Sequence, residues 1–196
     1  MRYIKSILYL CFIYKKMSEK VWDYKSNEND ELAKKVSKDP TIVMTKDSMA
    51  KHLINRTIFY ENERVLDPCR GDGAFYNNFP SKVKKDWCEI NEGRDFFDYD
   101  EKCDTIMTNP PFVPRKLFWD FVVKGSKVAQ KRMFWLINMG CLNVFTPKRL
   151  QQLKNNSWYI THLHIVSDKR WYGRYVMVEM GRLEERNIMT YNLETF

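Results

Sequence analysis

The sequence lacks the cysteine and histidine patterns that mark a metal site or a disulfide framework. Its five cysteines form no Cys-x-x-Cys pair, and its three histidines add no metal-ligand spacing to them. We therefore predict a chain without a bound metal that works in a reducing compartment, the cytoplasm of a cell.

Long apolar runs are also missing. The apolar run nearest the amino terminus, residues 7–14, is shorter than the about 20 residues that a membrane-spanning helix needs. It follows two basic residues as a signal sequence would, but no small-residue cleavage site comes after it. We predict no membrane contact, an amino-terminal extension over residues 1–16, a polar segment over 17–44 and one functional domain over 45–196.

What the sequence does contain is typical of a globular domain with an excess of positive charge. Apolar residues make up 44% of the chain and charged residues 30%, enough of each for a real core and a solvated surface. Lysine and arginine number 33 against 25 acidic residues, a net charge of +8. This excess favours a polyanionic partner, although many basic proteins bind no nucleic acid.

Strand and helix patterns alternate over most of the chain. Apolar runs predict strands at residues 64–66, 87–90, 105–108, 133–137, 160–166 and 175–180. Helical spacing predicts helices at 49–54, 117–123 and 148–154, the last opened by Thr146-Pro147. The alternation indicates an α/β fold with a doubly wound, mostly parallel sheet. The last two strands leave no room for a helix between them and predict an antiparallel hairpin at the edge.

A stiff polar loop follows the strand predicted at residues 105–108. Asn109 precedes Pro110, Pro111 and Phe112, and the prolines fix two φ angles and remove two backbone donors. The loop thus leaves the sheet at the carboxyl end of a strand, where open α/β sheets bind ligands. An amide and two carbonyls beside an aromatic ring suit a planar, amine-bearing group such as a nucleobase. Taken alone, the pattern also fits a structural proline turn.

A glycine loop follows the first predicted strand and contains Asp67, Pro68, Gly71 and Gly73. The glycines permit a tight turn and close approach of a ligand, but neither the dinucleotide nor the P-loop spacing is present. An acid at this place could accept the ammonium group of a ligand. Glu89, after the next predicted strand, is placed to hold ribose hydroxyls, whereas a single strand-end carboxylate is more often simply solvated.

The two loops together resemble the motif pair of the S-adenosylmethionine-dependent adenine-N6 DNA methyltransferases. Gly71 and Asn109 are 38 residues apart, and the resemblance runs from about Thr45 to about Met180. The motif order is similar to that of the gamma group and of solitary viral and phage enzymes. The resemblance implies a class I, Rossmann-like methyltransferase domain over residues 45–196, with S-adenosylmethionine as cofactor and the N6 amino group of adenine in DNA as substrate.

The resemblance also implies a role for each matching residue. Asp67 and the glycines would line the methionine end of the cofactor, Glu89 its ribose, and Asp95 and Phe96 its adenine. Thr45 matches a position near the cofactor carboxylate, and here Lys46 follows where the family has proline. The implied cofactor contacts are Thr45, Asp67, Pro68, Gly71, Gly73, Glu89, Asp95, Phe96 and Asn109.

The implied catalytic residues are Asn109, Pro110, Pro111 and Phe112. The Asn109 side-chain oxygen and the Pro110 carbonyl would accept the two hydrogens of the target amine, and Phe112 would stack on the base. The target must be flipped out of a duplex or already single-stranded. The implied nucleic-acid contacts are Lys169, Arg170, Trp171 and Arg174, where aromatic rings alternate with charges.

Two alternatives stay open from the sequence. The same chemistry serves enzymes that modify RNA bases or a protein glutamine, and the chain has no separate block for a DNA recognition domain. A catalytically silent fold that binds nucleic acid is the third reading, against which the intact motif positions argue.

Overall fold

A computed structural model describes residues 44–166 and 174–182, so the expected extension over residues 1–16 and nearly all of the polar segment over 17–44 lie outside the described residues. The strands are β1 (Arg64–Asp67), β2 (Lys84–Trp87), β3 (Cys103–Thr108), β4 (Ala129–Asn138), β5 (Tyr159–Val166) and β6 (Tyr175–Gly181). The α-helices are α1 (Asp47–Asn55), α2 (Ala74–Asn78), α3 (Arg115–Val128) and α4 (Pro147–Asn155). Short 3-10 turns cover Ile90–Glu92, Phe96–Asp98 and Met139–Val144.

The strands form a single sheet in the order β2-β1-β3-β4-β6-β5. The first four pair in parallel, while β6 runs antiparallel to both β4 and β5. This arrangement confirms the predicted mostly parallel sheet with a carboxyl-terminal antiparallel hairpin at its edge. Because four strands are parallel, their carboxyl ends meet along one edge of the sheet, which is where both predicted loops begin.

The centre of the sheet is buried on both faces. Met133, Trp135 and Ile137 of β4 belong to the main core cluster with Phe118 and Val122 of α3. Their neighbours on the opposite face of β4 are also buried, as the continuous apolar run predicts. Helix α3 lies unusually close to the sheet, since a Cβ at its Gly125 would stand 2.8 Å from the Trp135 ring.

Helix α3 is also the longest helix among the described residues. With 14 residues, about four turns, it contains the apolar residues 117–123 and is one turn longer than the predicted helix of about three turns. It is too short and too polar to cross a membrane. Helix α4 begins as predicted, with the Thr146 hydroxyl accepting from the Arg149 amide at 3.4 Å and proline at the next position.

The second strand was predicted in the wrong place. It covers Lys84–Trp87, three residues before the predicted 87–90, and the turn Ile90–Glu92 begins where that strand was expected to end. The strand lies at the edge of the sheet and exposes Lys84 and Lys85. An edge strand with polar side chains has few apolar residues that would mark it in the sequence. Because the apolar, buried Cys88 follows the strand, the prediction placed the strand too far along the chain.

A buried ion pair ties the strands together near their amino ends. Glu63 accepts hydrogen bonds from Thr105 Oγ1 at 2.5 Å, Arg132 Nη2 at 2.7 Å and the Tyr60 amide at 2.8 Å. Burial alone would raise the pKa of Glu63, but these hydrogen bonds outweigh it and lower the pKa below its ordinary value. One carboxylate thus links the segment before β1 to β3 and β4.

We expect Glu63→Ala to lower the free energy of unfolding by about 3 kcal/mol at pH 7, because it leaves Arg132 and a buried hydroxyl without their acceptor. Since the folded pKa is depressed, this contribution is present above the ordinary glutamate pKa and is lost as pH falls through the depressed value. Urea denaturation measures both effects. Glu101→Ala, which breaks the exposed pair with Arg64, is the control and should cost less than about 1 kcal/mol. Equal losses for the two variants would contradict the prediction.

Candidate active site

The two predicted loops are joined by a buried hydrogen bond between neighbouring strands. β1 and β3 pair in parallel, so their last residues, Asp67 and Thr108, reach the same edge of the sheet. Thr108 Oγ1 donates to Asp67 Oδ1 over 2.7 Å, and the Cys69 amide donates to the same oxygen over 3.3 Å. The glycine loop and the Asn109 loop therefore begin side by side, directly after two residues whose side chains are hydrogen-bonded to each other.

The second oxygen of Asp67 gives the site its electrostatic character. Oδ2 is buried and has no hydrogen-bond partner among the described residues. Burial raises the pKa of Asp67 to about 7, although the hydrogen bond from Thr108 acts in the opposite direction. A buried carboxylate without a partner is costly. A cationic group placed against Oδ2 would be stabilised there, and the ammonium group of an amino acid is of that kind.

The glycine loop requires glycine at two positions. Gly71 and Gly73 both have positive φ angles, of +50° and +87°. A Cβ at Gly71 would stand 3.1 Å from Met44 Cε, and one at Gly73 would stand 2.6 Å from Asn77 Nδ2. The backbone of the loop is thus packed closely on both sides, which leaves its amide groups near the carboxyl edge of the sheet.

Glu89 holds the glycine loop and the turn after β2 together. Its Oε2 accepts from the Gly71 amide over 2.9 Å, and its Oε1 accepts from the Asn91 amide over 3.2 Å. The carboxylate therefore stands beside the loop, at the position where the sequence predicted a ribose ligand. Ile90, the next residue, is 57% exposed and offers an apolar surface at the same place. Sequence reasoning assigned Ile90 to a strand and missed this exposure.

A cluster around Trp87 fixes the position of Glu89 and was not predicted. The guanidinium groups of Arg70 and Arg94 lie 3.9 and 4.2 Å from the Trp87 ring centre. Arg70 also pairs with Glu92, and Arg94 Nη2 pairs with Asp86 Oδ1 at 2.8 Å. These contacts join the glycine loop to both sides of the turn that carries Glu89. Arg70 in the glycine loop and Trp87 at the end of β2 are the residues that could have suggested this cluster from the sequence.

Asn109 lies beside the segment that precedes α1. Its Nδ2 donates to Thr45 Oγ1 over 3.1 Å, which brings the predicted Thr45 to the Asn109 loop. The neighbouring Met44 touches the glycine loop at Gly71. Because Nδ2 faces Thr45, the amide oxygen is the end turned away from it. Phe112 is half-buried, with its ring edge-on to Tyr175 at 6.3 Å.

Phe96 does not lie where a cofactor ring could use it. It is only 2% exposed and stacks on Phe121 of α3, with ring centres 5.3 Å apart. The expectation that Phe96 packs on an adenine ring is therefore corrected: the side chain belongs to the core. Asp95, one residue earlier, is half-buried, and its Oδ1 accepts from the Phe97 amide over 2.9 Å. Its contact with an adenine amino group stays a prediction.

The cysteines at this edge are not nucleophiles. Burial raises the pKa of Cys88 to about 12 and the pKa of Cys69 well above its ordinary value, so both thiols stay protonated at neutral pH.

The predicted nucleic-acid contacts fall mostly outside the described residues. Lys169, Arg170 and Trp171 are not among them. Arg174 is exposed just before β6, and its carbonyl accepts from the Met139 amide over 2.9 Å. Their role in binding stays a prediction.

Comparisons with known proteins find similarity in structure alone. No protein-family model matches the sequence, and no curated protein matches it either. A Listeria monocytogenes protein assigned to the class I S-adenosylmethionine-dependent methyltransferases superimposes with a TM-score of 0.59 at 11% identity, over 81% of this chain and 66% of that one. Magnesium protoporphyrin IX methyltransferase from Synechocystis PCC 6803 gives 0.55 at 11% identity, over 70% and 79%.

A third solved structure has a macromolecular substrate in its description. The Mtq2–Trm112 complex of E. cuniculi, described as responsible for methylation of the eRF1 translation termination factor, gives a TM-score of 0.51 at 16% identity, over 71% of this chain and 96% of that one. At such identities the likeness concerns the fold. The chain has the Rossmann-like fold of class I methyltransferases, as predicted.

The raised pKa of Asp67 predicts how stability depends on pH. Because an acid with a raised folded pKa binds protons more tightly when folded, the free energy of unfolding should fall as pH rises from about 4 to about 7. The decline is on the order of 4 kcal/mol, since each pKa unit is worth about 1.4 kcal/mol. Denaturant titrations of wild type and Asp67→Asn across this range test it. The variant should lack the decline, and parallel curves for the two proteins would contradict the prediction.

Proposed function

We propose that this protein transfers a methyl group from S-adenosylmethionine to the N6 amino group of adenine in DNA. The observation that carries the proposal is the junction of Asp67 and Thr108, which sets the glycine loop beside the Asn109 amide. The proposed cofactor site and the proposed amine-accepting site would then be adjacent at the carboxyl edge of the sheet. The resemblance in sequence motifs and the fold shared with class I methyltransferases support the same reading.

The residues at this edge fit S-adenosylmethionine. Asp67 Oδ2 offers a buried negative charge to the ammonium group of its methionine part. Glu89 stands where ribose hydroxyls would bind, and the exposed Ile90 could cover one face of the adenine. Gly71 and Gly73 allow the tight turn of the loop that a closely approaching cofactor would follow. When bound, the cofactor supplies a methyl group activated by a positively charged sulfur.

Asn109 would orient the substrate amine. The nitrogen of an adenine amino group is a weak nucleophile because its lone pair is shared with the ring. When the Asn109 side-chain oxygen and the Pro110 carbonyl accept its two hydrogens, the lone pair turns out of the ring plane. The hydrogen bond from Asn109 Nδ2 to Thr45 fixes which side of the amide carries the oxygen. Catalysis then rests on positioning and on hydrogen bonds, without a covalent intermediate on the protein.

The positive net charge favours a nucleic acid over a protein as the carrier of the amine, and the motif resemblance favours DNA. RNA is the nearest alternative, because its adenine presents the same amino group. A protein is the second alternative, and the similarity to the Mtq2–Trm112 structure, described as responsible for methylation of a translation termination factor, keeps it open.

The experiment is methyl transfer from labelled S-adenosylmethionine to duplex DNA, single-stranded DNA, RNA and a mixture of protein substrates. We expect label in DNA, recovered as N6-methyladenine, and a loss of about 100-fold or more in rate for Asn109→Ala. Label found only in RNA or only in protein would show that this molecule, and not DNA, is the substrate. No label in any substrate, with cofactor still bound, would leave only the non-catalytic reading.

A matched control separates the role of the amide from general damage. Asn155→Ala removes an exposed asparagine at the end of α4, whose side chain contacts only Gln151 among the described residues. This variant should keep the wild-type rate. Cofactor affinity, measured by calorimetry, should stay within about threefold of wild type for Asn109→Ala if the amide acts mainly on the substrate amine.

A further inference from the structure

We infer that a cationic groove between α1 and the end of β5 holds the phosphodiester backbone of the strand that carries the methylated base. The inference rests on the proposed function for the identity of that base. The groove itself is defined by its own residues and encloses about 460 Å³. Its lining residues are Lys46, Ser48, Met49, His52, Leu53, Arg56, His164, Ile165 and Val166.

The charge of the groove has one sign. Lys46 and Arg56 stand near the two ends of α1, and the imidazoles of His52 and His164 lie between and opposite them. None of the described residues that line the groove is acidic. Ser48, His52 and Arg56 are spaced four residues apart, so they share one face of the helix. A phosphate group in the groove would meet the cationic groups of Lys46 and Arg56 on the α1 wall.

Two carboxylates lie near the groove, and each has a partner. Asp47 is the acid next to the groove on α1, and its Oδ1 accepts from Asn78 of α2 at 2.5 Å. Glu179 of β6 contacts His164 Nε2 at 3.2 Å and His162 Nδ1 at 3.3 Å, which fixes His164 against the sheet. No carboxylate among the described residues pairs with Arg56. Its guanidinium is exposed and can meet a phosphate.

The groove adjoins the amine-accepting site. Thr45 accepts the hydrogen bond from Asn109, and Lys46, the next residue, lines the groove. Adjacent Cα atoms are about 3.8 Å apart, so the lining of the groove begins one residue from the partner of Asn109. A strand whose target base enters beside Asn109 would continue over Lys46 and along α1 toward Arg56.

The apolar residues of the groove fit the same occupant. Ile165 is 67% exposed at the end of β5, and Val166 follows it in the groove lining. Alternating cationic and apolar contacts suit a chain in which phosphates alternate with sugars and bases. An acidic peptide offers negative charge without that alternation, so a single-stranded nucleic acid is the occupant that the lining favours.

The test measures binding of a fluorescent 12-nucleotide single strand by anisotropy over a range of salt concentrations. The groove variant is Lys46→Gln/Arg56→Gln, and the control is Lys148→Gln/Lys154→Gln on α4, which removes two cations that do not line the groove. We expect the groove variant to lose roughly tenfold in affinity. The slope of log affinity against log salt should shrink by about 1.4, because each phosphate contact to a single strand contributes about 0.7.

Other results would overturn the inference. These are no binding by the wild type, equal losses for the groove and control variants, or displacement of the strand by an oligoglutamate peptide at the same charge concentration. Calorimetry with S-adenosylmethionine, expected to be unchanged in the groove variant, shows that the cofactor site remains intact. A wild type that binds the strand through the groove but methylates no substrate would refute the proposed function and leave the groove standing.

Discussion

The hydrogen bond between Thr108 and Asp67 is the constraint on which the rest of the site depends. It joins the last residues of two neighbouring parallel strands, so the two loops start from fixed and adjacent points. It also takes one oxygen of a buried carboxylate and leaves the other for a ligand. The opposite end of the sheet is held by the Glu63 ion pair, which helps to fix the positions of the strands. This ion pair stabilises the fold and takes no part in the proposed chemistry.

The features that could be predicted from the sequence are those that have a local cause. Asn109 and its prolines, the positive-φ glycines and the capped start at Thr146 follow from the conformations that those residues allow. The buried strand β4 follows from its unbroken apolar run, which only a sheet covered on both faces requires. The residues of such an element indicate its conformation without information about tertiary contacts.

The features that could not be predicted depend on tertiary partners. The edge strand β2 carries lysines because one of its sides has no neighbouring strand, so its sequence resembles that of a loop. Phe96 and Phe97 are adjacent aromatic residues, and only the position of α3 decides that the first is buried and the second exposed. Thr108 looked like an ordinary strand residue, although its hydroxyl completes the site.

Three consecutive residues, Met44, Thr45 and Lys46, touch the glycine loop, the Asn109 amide and the cationic groove in turn. A ligand that moved this segment at one of these places would therefore also change the other two. By thermodynamic reciprocity, a ligand at the glycine loop that strengthens binding in the groove must itself be strengthened by the same factor. In the proposed reaction, this segment would connect the cofactor and the strand that carries the target base through about 8 Å of backbone.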